Sequence, residues 1–405
     1  MERGMIIIGA GHAGCRAAQS LRTHGWHGSI HLLNGEDRAP YERPPLSKSV
    51  LTGEKTTSDI PLLQAAWLAD SSVKNYHRTS RVATINRAER SVLTSDGERL
   101  PYEKLLIATG ARPRIFEKTL GGVMTLRTAA DSEKLAATLH EGTRLVIIGG
   151  GLIGLEVAAA SVSRCAAVTV IEAADRLLQR VVPEAISLAV KNDHEASGVT
   201  IRLGVSLKSL VGNERVAGVR LTSGEEIPCD MVVVAIGVEP DTSLAAECGL
   251  EVDDGIVVDE FLRTSDPAIY AAGDVSSIRR IGMARPLRLQ CWRNAEEQGD
   301  VAARNMLGLD TPYRAVPWMW SDQFDKVVQV AGISDVDHAI TLRPLGTGAV
   351  AAFHYDDKGM LAAVSAYGDV GLVGRVVRIG STMLQQGISP TPDSVCTAND
   401  LRTLL

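Results

Sequence analysis

The sequence predicts an α/β chain built around two copies of one strand–turn–helix device. Three observations carry that prediction. The apolar run Met5-Ile6-Ile7-Ile8 passes directly into Gly9-Ala10-Gly11-His12-Ala13-Gly14. A second run, Leu145–Ile148, passes into Gly149-Gly150-Gly151-Leu152-Ile153-Gly154, with Gly149 standing 140 residues after Gly9. Each copy continues into a helix-tolerant stretch and then an apolar strand that leads to a carboxylate. The carboxylates are Glu36, 22 residues past Gly14, and Glu172, 18 residues past Gly154.

A G-x-G-x-x-G turn between strand and helix is built to hold a pyrophosphate. Gly9 permits the tight turn, Gly11 lets the backbone approach the phosphates, and Gly14 lets helix and strand pack closely. The N–H groups and dipole at the helix N-terminus favour the anion. A carboxylate about 20 residues on accepts hydrogen bonds from a ribose. One such motif is weak evidence; two complete sets predict two bound dinucleotides, and the usual pair is a flavin and a nicotinamide.

Composition narrows the class further. At 405 residues the chain exceeds one domain of about 150 residues, so two or three domains are expected. With 45% apolar and 22% charged residues it can bury an ordinary core. A formal net charge of -6 argues against nucleic-acid binding, which needs a dense basic face. No apolar run reaches the ~20 residues of a membrane span, and the N-terminal apolar residues are used by the first strand. The expected compartment is the cytoplasm. Cys15, Cys165, Cys229, Cys248, Cys291 and Cys396 form no close pair, and the nine histidines form no ligand cluster. A vicinal redox disulfide and a metal site are therefore not expected.

Taken in order, the first strand and the helix through Leu21 are followed by the strand Ile30–Leu33 and by Glu36. Pro44-Pro45 should fix an extended entry, and a helix should open at Leu46 with Lys48 in its first turn. A lysine there gains nothing from the helix dipole, so it is either solvated or directed at an anion. Short strands are expected at 81–85 and 91–93, turning at Asp96-Gly97. The strand Tyr102–Ala108 ends in Ala108-Thr109-Gly110.

A helix is expected from Ala129 to His140, and another over Asp175–Asn192, interrupted near Pro183. Strands follow at 199–203, 216–221 and 231–236; the last runs into Gly237, echoing Ala108-Thr109-Gly110. The strand after Pro267 reaches Gly273-Asp274, where the aspartate is either a turn residue or an acceptor for a ribityl hydroxyl. Trp292–Leu307 reads as a helix. From Pro317 the pattern becomes a small antiparallel sheet (318–323, 327–331, 338–342 and 350–354) closed by a helix over Val370–Gln386. Trp318 and Trp320 either pack in that core or line a flat ring or partner surface.

The ordered set Gly9–Gly14, Pro44-Pro45-Leu46-Ser47-Lys48, Ala108-Thr109-Gly110, Leu126-Arg127-Thr128, Gly149–Glu156, Tyr270–Asp274 and Pro317–Gln323 resembles the ferredoxin reductases of bacterial ring-hydroxylating oxygenases and cytochrome P450 systems. Rubredoxin reductases and apoptosis-inducing factor are more distant members of that family. The resemblance implies two Rossmann-like dinucleotide-binding domains, arranged as in glutathione reductase, plus a small α+β C-terminal domain. On this scheme residues 1–111 and 234–316 bind FAD, 112–233 bind NADH, and 317–405 form the third domain.

Residue by residue, the resemblance implies that Gly9, Gly11, His12, Ala13 and Gly14 surround the FAD pyrophosphate, with Glu36 at the ribose and Arg43 nearby. Val82 would present backbone to the adenine, and Ala108, Thr109, Gly110, Arg127, Asp274 and Trp292 would contact FAD. Lys48 would sit by the flavin N5 paired with Glu156, and Trp320 would flank the ring. NADH would use Gly149, Gly151, Leu152, Ile153, Gly154 and Glu172, with Gly237 near the nicotinamide. Asn34-Gly35-Glu36 and Leu289-Gln290-Cys291-Trp292 depart from the family pattern.

The implied activity is NADH-dependent reduction of a [2Fe–2S] ferredoxin that feeds an oxygenase, with rubredoxin as the alternative acceptor. Arg279, Arg280, Arg285, Arg288 and Arg293 fall within fifteen residues without an acid and form a candidate docking patch for an acidic ferredoxin. An NADH oxidase or peroxidase usually carries a redox cysteine soon after the first domain's second strand, and residues 34–60 hold none. A redox-sensing flavoprotein is a further alternative.

Overall fold

The computed structural model describes residues 3–69, 75–77, 81–116, 120–279, 286–335 and 337–405. The chain forms two compact units. One comprises Met1–Arg43, Thr56–Arg112 and Val238–Ala315; the other comprises Pro44–Lys55, Pro113–Gly237 and Val316–Leu405.

The first unit is organised on a parallel sheet. Its strands lie in the order Asn75–His77, Ile30–Leu33, Gly4–Ile8, Arg99–Ile107 and Ile269–Ala271. Met5 to Ile8 pair with Ile30 to Leu33 on one side and with residues 104–107 on the other. A strand hydrogen-bonded on both edges and covered on both faces must be apolar at every position. Met5, Ile6, Ile7 and Ile8 are accordingly all buried. Val82–Asn86 and Ser91–Thr94 extend the sheet as an antiparallel hairpin on Arg99–Ile107, which is longer than the sequence suggested. The helix His12–Thr23 packs against Trp292–Met306; a Cβ on Gly299 would stand 2.4 Å from the Ala13 carbonyl oxygen, so this crossing requires a glycine.

The second unit repeats the plan. Its parallel strands run in the order Thr200–Arg202, Ala167–Ile171, Arg144–Ile148, Met231–Val234 and Val123–Met124. The duplication extends beyond the two motifs. In the first unit the antiparallel hairpin Val82–Asn86 and Ser91–Thr94 runs into the closing strand Arg99–Ile107 itself. Here, before the closing strand Met231–Val234, stands a separate antiparallel meander of Leu207–Gly212, Val216–Leu221 and Glu226–Pro228. The first and last of those strands were not anticipated, because their alternation is short and half polar.

Two helix expectations are corrected. No helix covers 175–182: Arg176 donates to the carbonyls of Val182 and Gln179, and Leu178 N–H donates to Gly150 O at 3.0 Å, which folds the segment back on the glycine turn. The helix begins only after Pro183, over Glu184–Ala196. Pro44 and Pro45 do not enter extended; they open a 3₁₀ turn, Pro44–Ser47, where a missing N–H costs nothing. Lys48 then caps the short helix Ser49–Thr52, at the joint between the two turns and not within a first turn.

The C-terminal part of this unit is a five-stranded antiparallel sheet in the order Trp318–Gln323, Lys326–Gly332, Leu361–Asp369, Ala349–Tyr355 and Ala339–Gly346. Leu361–Asp369 was missed in the sequence because alanine, serine and glycine dilute its pattern. The helix Val370–Gln386 covers one face; Asp369 caps its start and Gly387, at φ +69, ends it. Among the described residues no helix is long and apolar enough to cross a membrane.

Candidate functional site

The two glycine turns are near copies in geometry. Gly9 has φ +105, and a Cβ there would stand 2.3 Å from Ala108 O; Gly149 has φ +111, and its Cβ would stand 2.4 Å from Ala235 O. A Cβ on Gly14 would lie 1.9 Å from Gly9 O, and one on Gly154 2.1 Å from Gly149 O. Only glycine satisfies these close approaches. Gly11 and Gly151 differ: nothing lies within 4 Å of a Cβ on either. Each leaves open space over the turn and the helix N-terminus, which is where a pyrophosphate needs backbone access. Both turns therefore fit dinucleotides.

In the first unit the turn gathers several of the candidate residues. Ala108 N–H donates to Ile8 O at 2.8 Å, and Thr109 Oγ1 donates to Asp241 O at 2.8 Å. Gly110 has φ +73, and its carbonyl accepts from Asp241 N–H. A Cβ on Gly273 would lie 3.1 Å from the Ala13 Cβ, so Asp274 follows a residue packed on the helix start. His12 and Trp292, the first residues of their helices, meet edge to face at 6.3 Å. Val82 opens the hairpin strand and is half-buried.

Glu36 is held by its own loop. Its Oε1 accepts from Arg43 Nη2 at 2.7 Å and its Oε2 from Tyr41 Oη at 2.6 Å. Arg43 also lies over the Tyr41 ring, 5.1 Å from the centroid. The unusual Asn34 explains this arrangement. Its buried amide donates to the carbonyls of Glu36 and Arg38 and accepts from Glu36 N–H. That Asx turn fixes where Glu36 points.

In the second unit Glu172 is oriented by backbone. Its Oε2 accepts from Gly150 N–H at 2.7 Å and its Oε1 from Ala174 N–H at 2.8 Å. Leu152 and Ile153 form the first helical turn, and Ile153 is exposed beside it. Gly237, at φ +104, accepts from Arg114 N–H. Arg127 precedes a capping box in which Thr128 and Asp131 start the helix Ala129–Thr138.

The same unit brings Lys48, Glu156 and Trp320 together. Lys48 Nζ lies 3.3 Å from Glu156 Oε1, 2.8 Å from Asp322 Oδ2 and 5.2 Å from the Trp320 ring centroid. Trp320 stacks on Trp318 at 5.4 Å. Glu156 is buried and receives the Ser47 hydroxyl on Oε2 and the Ser321 hydroxyl on Oε1. Burial pushes its carboxyl above the ordinary range, and the Lys48 ammonium and the two hydroxyls pull it back. Ser47, Ser321, Asp322 and Gln323 were missed as site residues; the only signal for them was their position beside Lys48 and Trp320.

The basic segment is less free than its sequence suggests. Arg279 pairs with Glu251, Arg288 with Asp254 and Arg293 with Glu297. Two of these carboxylates come from the 251–254 loop, outside the stretch. Arg280 and Arg285 lie outside the described residues.

A doubled dinucleotide turn with no close cysteine pair defines a two-nucleotide oxidoreductase that does not depend on a vicinal disulfide. The chain belongs to the pyridine nucleotide-disulphide oxidoreductase family, which it matches over residues 3–299, and its residues 318–405 match the reductase C-terminal domain. Its cofactors are FAD and NAD(H). It is 40% identical to the probable ferredoxin reductase CtmF of Castellaniella defragrans, over 88% of this chain and 89% of that one. It is also 40% identical to the rubredoxin-NAD(+) reductase of Pseudomonas putida, over 83% of this chain and 88% of that one. The ferredoxin reductase for the CYP199A2 system from Rhodopseudomonas palustris superposes with a TM-score of 0.93 at 33% identity, covering 99% of both chains.

Proposed function

We propose that this chain carries electrons from NADH through FAD to a [2Fe–2S] ferredoxin that supplies an oxygenase, in the cytoplasm. The observation that carries the reading is the Lys48–Glu156–Trp320 cluster in a chain with two dinucleotide turns and no redox cysteine pair. Residues 1–111 and 234–316 hold FAD, residues 112–233 hold NADH, and residues 317–405 supply Trp320. The flavin supplies the conversion of a hydride donor into a one-electron donor.

The protein's part is binding, orientation and charge. Gly11, His12, Ala13 and the helix start receive the FAD pyrophosphate, while Glu36, steered by Arg43 and Tyr41, receives the ribose. Ala108, Thr109, Gly110, Val82, Arg127, Asp274 and Trp292 complete the FAD contacts. Gly151, Leu152, Ile153 and Gly154 receive the NADH pyrophosphate, and Gly237 borders the nicotinamide. Glu172 accepts the ribose hydroxyls and repels a 2′-phosphate. Lys48 would supply positive charge beside the bound flavin, where that group's chemistry gains negative charge, and Glu156 and Asp322 orient the lysine.

The test is an anaerobic visible spectrum titrated with NADH, followed by addition of oxidised ferredoxin. Bleaching and then ferredoxin reduction are expected. Bleaching that is reversed only by oxygen or peroxide would replace this reading with an oxidase. The similarity to a rubredoxin-NAD(+) reductase makes rubredoxin the second acceptor to try.

A further inference from the structure

A buried polar chain leads away from Glu156, and no role in electron transfer accounts for its far end. The Ser321 hydroxyl donates to Glu156 Oε1 at 2.5 Å, and Gln323 Nε2 donates to Ser321 Oγ at 2.8 Å. Gln323 Oε1 lies 2.8 Å from His194 Nε2, on the helix Glu184–Ala196. Glu156, Ser321, Gln323 and His194 are each at most 5% exposed. All four belong to the second unit.

The direction of this chain follows from its inner end. An ionised carboxylate only accepts, so Ser321 spends its proton on Glu156. Its oxygen must then accept, which turns the amide nitrogen of Gln323 toward it and the amide oxygen toward His194. His194 must carry its proton on Nε2. The outer end agrees. Nδ1 is buried without a hydrogen-bond partner among the described residues; a proton there would be an orphaned donor, whereas a bare acceptor is cheaper. Burial also holds the ring below its ordinary pKa and so neutral. The neighbouring charges are already paired. Asp193 accepts from Lys326 Nζ at 2.7 Å and from Tyr367 Oη at 2.6 Å, and the other ring against His194 is Phe324.

We propose that His194 is a positioning residue for the Lys48–Glu156 pair, acting as the outer donor of a one-way hydrogen-bond chain through Gln323 and Ser321. Aligned donors polarise one another, so each strengthens the bond nearest the carboxylate. The chain, with Ser47 on the other oxygen, thereby keeps a buried Glu156 ionised and Lys48 fixed. The catalytic meaning of this rests on the placement of that pair beside the flavin.

The test uses the FAD-loaded protein. Nitrogen-15 NMR of labelled histidine should show His194 neutral and protonated at Nε2 across the range where free imidazole titrates. Carbon-13 NMR should locate the Glu156 carboxyl, assigned by its loss in Glu156→Gln. Its titration should move up by about half a pH unit in His194→Phe. It should return in His194→Gln, whose amide can still donate. The acid limb of flavin reduction by NADH should move with it. A proton on Nδ1, a charged ring, or an unmoved Glu156 in His194→Phe would overturn the proposal. If His194→Phe does not fold, Gln323→Leu and the wild-type tautomer decide. If Glu156 shifts but the NADH rate ignores it, the donor chain stands and the placement of the pair beside the flavin falls.

Discussion

Lys48 Nζ lies 3.3 Å from Glu156 Oε1, although the two residues are 108 positions apart. A buried carboxylate and a partly buried ammonium each make the other tolerable. Lys48 has a second anchor in Asp322, whereas among the described residues Lys48 is the only cation paired with Glu156.

Lys48→Met should therefore leave Glu156 to take up a proton, and should slow flavin reduction by NADH about tenfold or more. Glu156→Gln should cost less, because Asp322 still holds Lys48. The double variant should be no slower than Lys48→Met alone, since both changes act on one pair. Stopped-flow reduction rates measure all three.

Arg164 ties together the parts that place Lys48. Its Nη1 donates to the carbonyls of Leu51 and Thr52, and its Nη2 to those of Ala136 and Leu139. It caps the ends of two helices, one of them the short helix that Lys48 begins. Arg164→Met should lower stability by about 2–3 kcal/mol. Hydrogen exchange should quicken first at 49–53, and Arg164→Lys should recover little, because one ammonium cannot span four carbonyls.

On the proposed reading, Glu172 sets the choice between NADH and NADPH. Gly150 and Ala174 N–H groups hold its carboxylate at the end of its strand. Glu172→Ala should reduce the ratio of kcat/KM for NADH over NADPH at least about tenfold. An unchanged ratio in steady-state assays would remove Glu172 from the ribose site.

His354 predicts acid sensitivity. It is buried against Ser365 Oγ at 2.8 Å, and burial lowers its pKa from 6.5 to about 4. The folded ring stays neutral while the unfolded ring binds a proton, so this contribution is complete above about 6.5. It is lost as pH falls toward 4, by up to about 3 kcal/mol. Melting temperature should fall over that window, and His354→Gln should flatten the slope.

The arginine segment should steer an acidic partner only modestly. Arg279, Arg288 and Arg293 each sit against a carboxylate that cancels part of their field. Arg279→Glu with Arg293→Glu should slow ferredoxin reduction at low ionic strength and lose that effect as salt is raised. Equal rates at low salt would remove this patch from the docking surface.

The sequence by itself determined the parts whose cause is local. Both glycine turns, the apolar strands beside them and the helix Val370–Gln386 between its aspartate cap and its glycine stop are written in adjacent residues. Charge, cysteine spacing and the doubled turn were enough to point to two nucleotides. The tertiary structure alone decided which distant side chains meet. Ser47 and Ser321 reach Glu156 across 109 and 165 residues, His194 reaches Gln323 across 129, and Arg164 finds four carbonyls on two other helices. Periodicity shows which face of an element is buried; it does not show which residue of another element is pressed against it. A buried polar group must find a partner wherever the packing leaves one, and that choice is made only when the core closes.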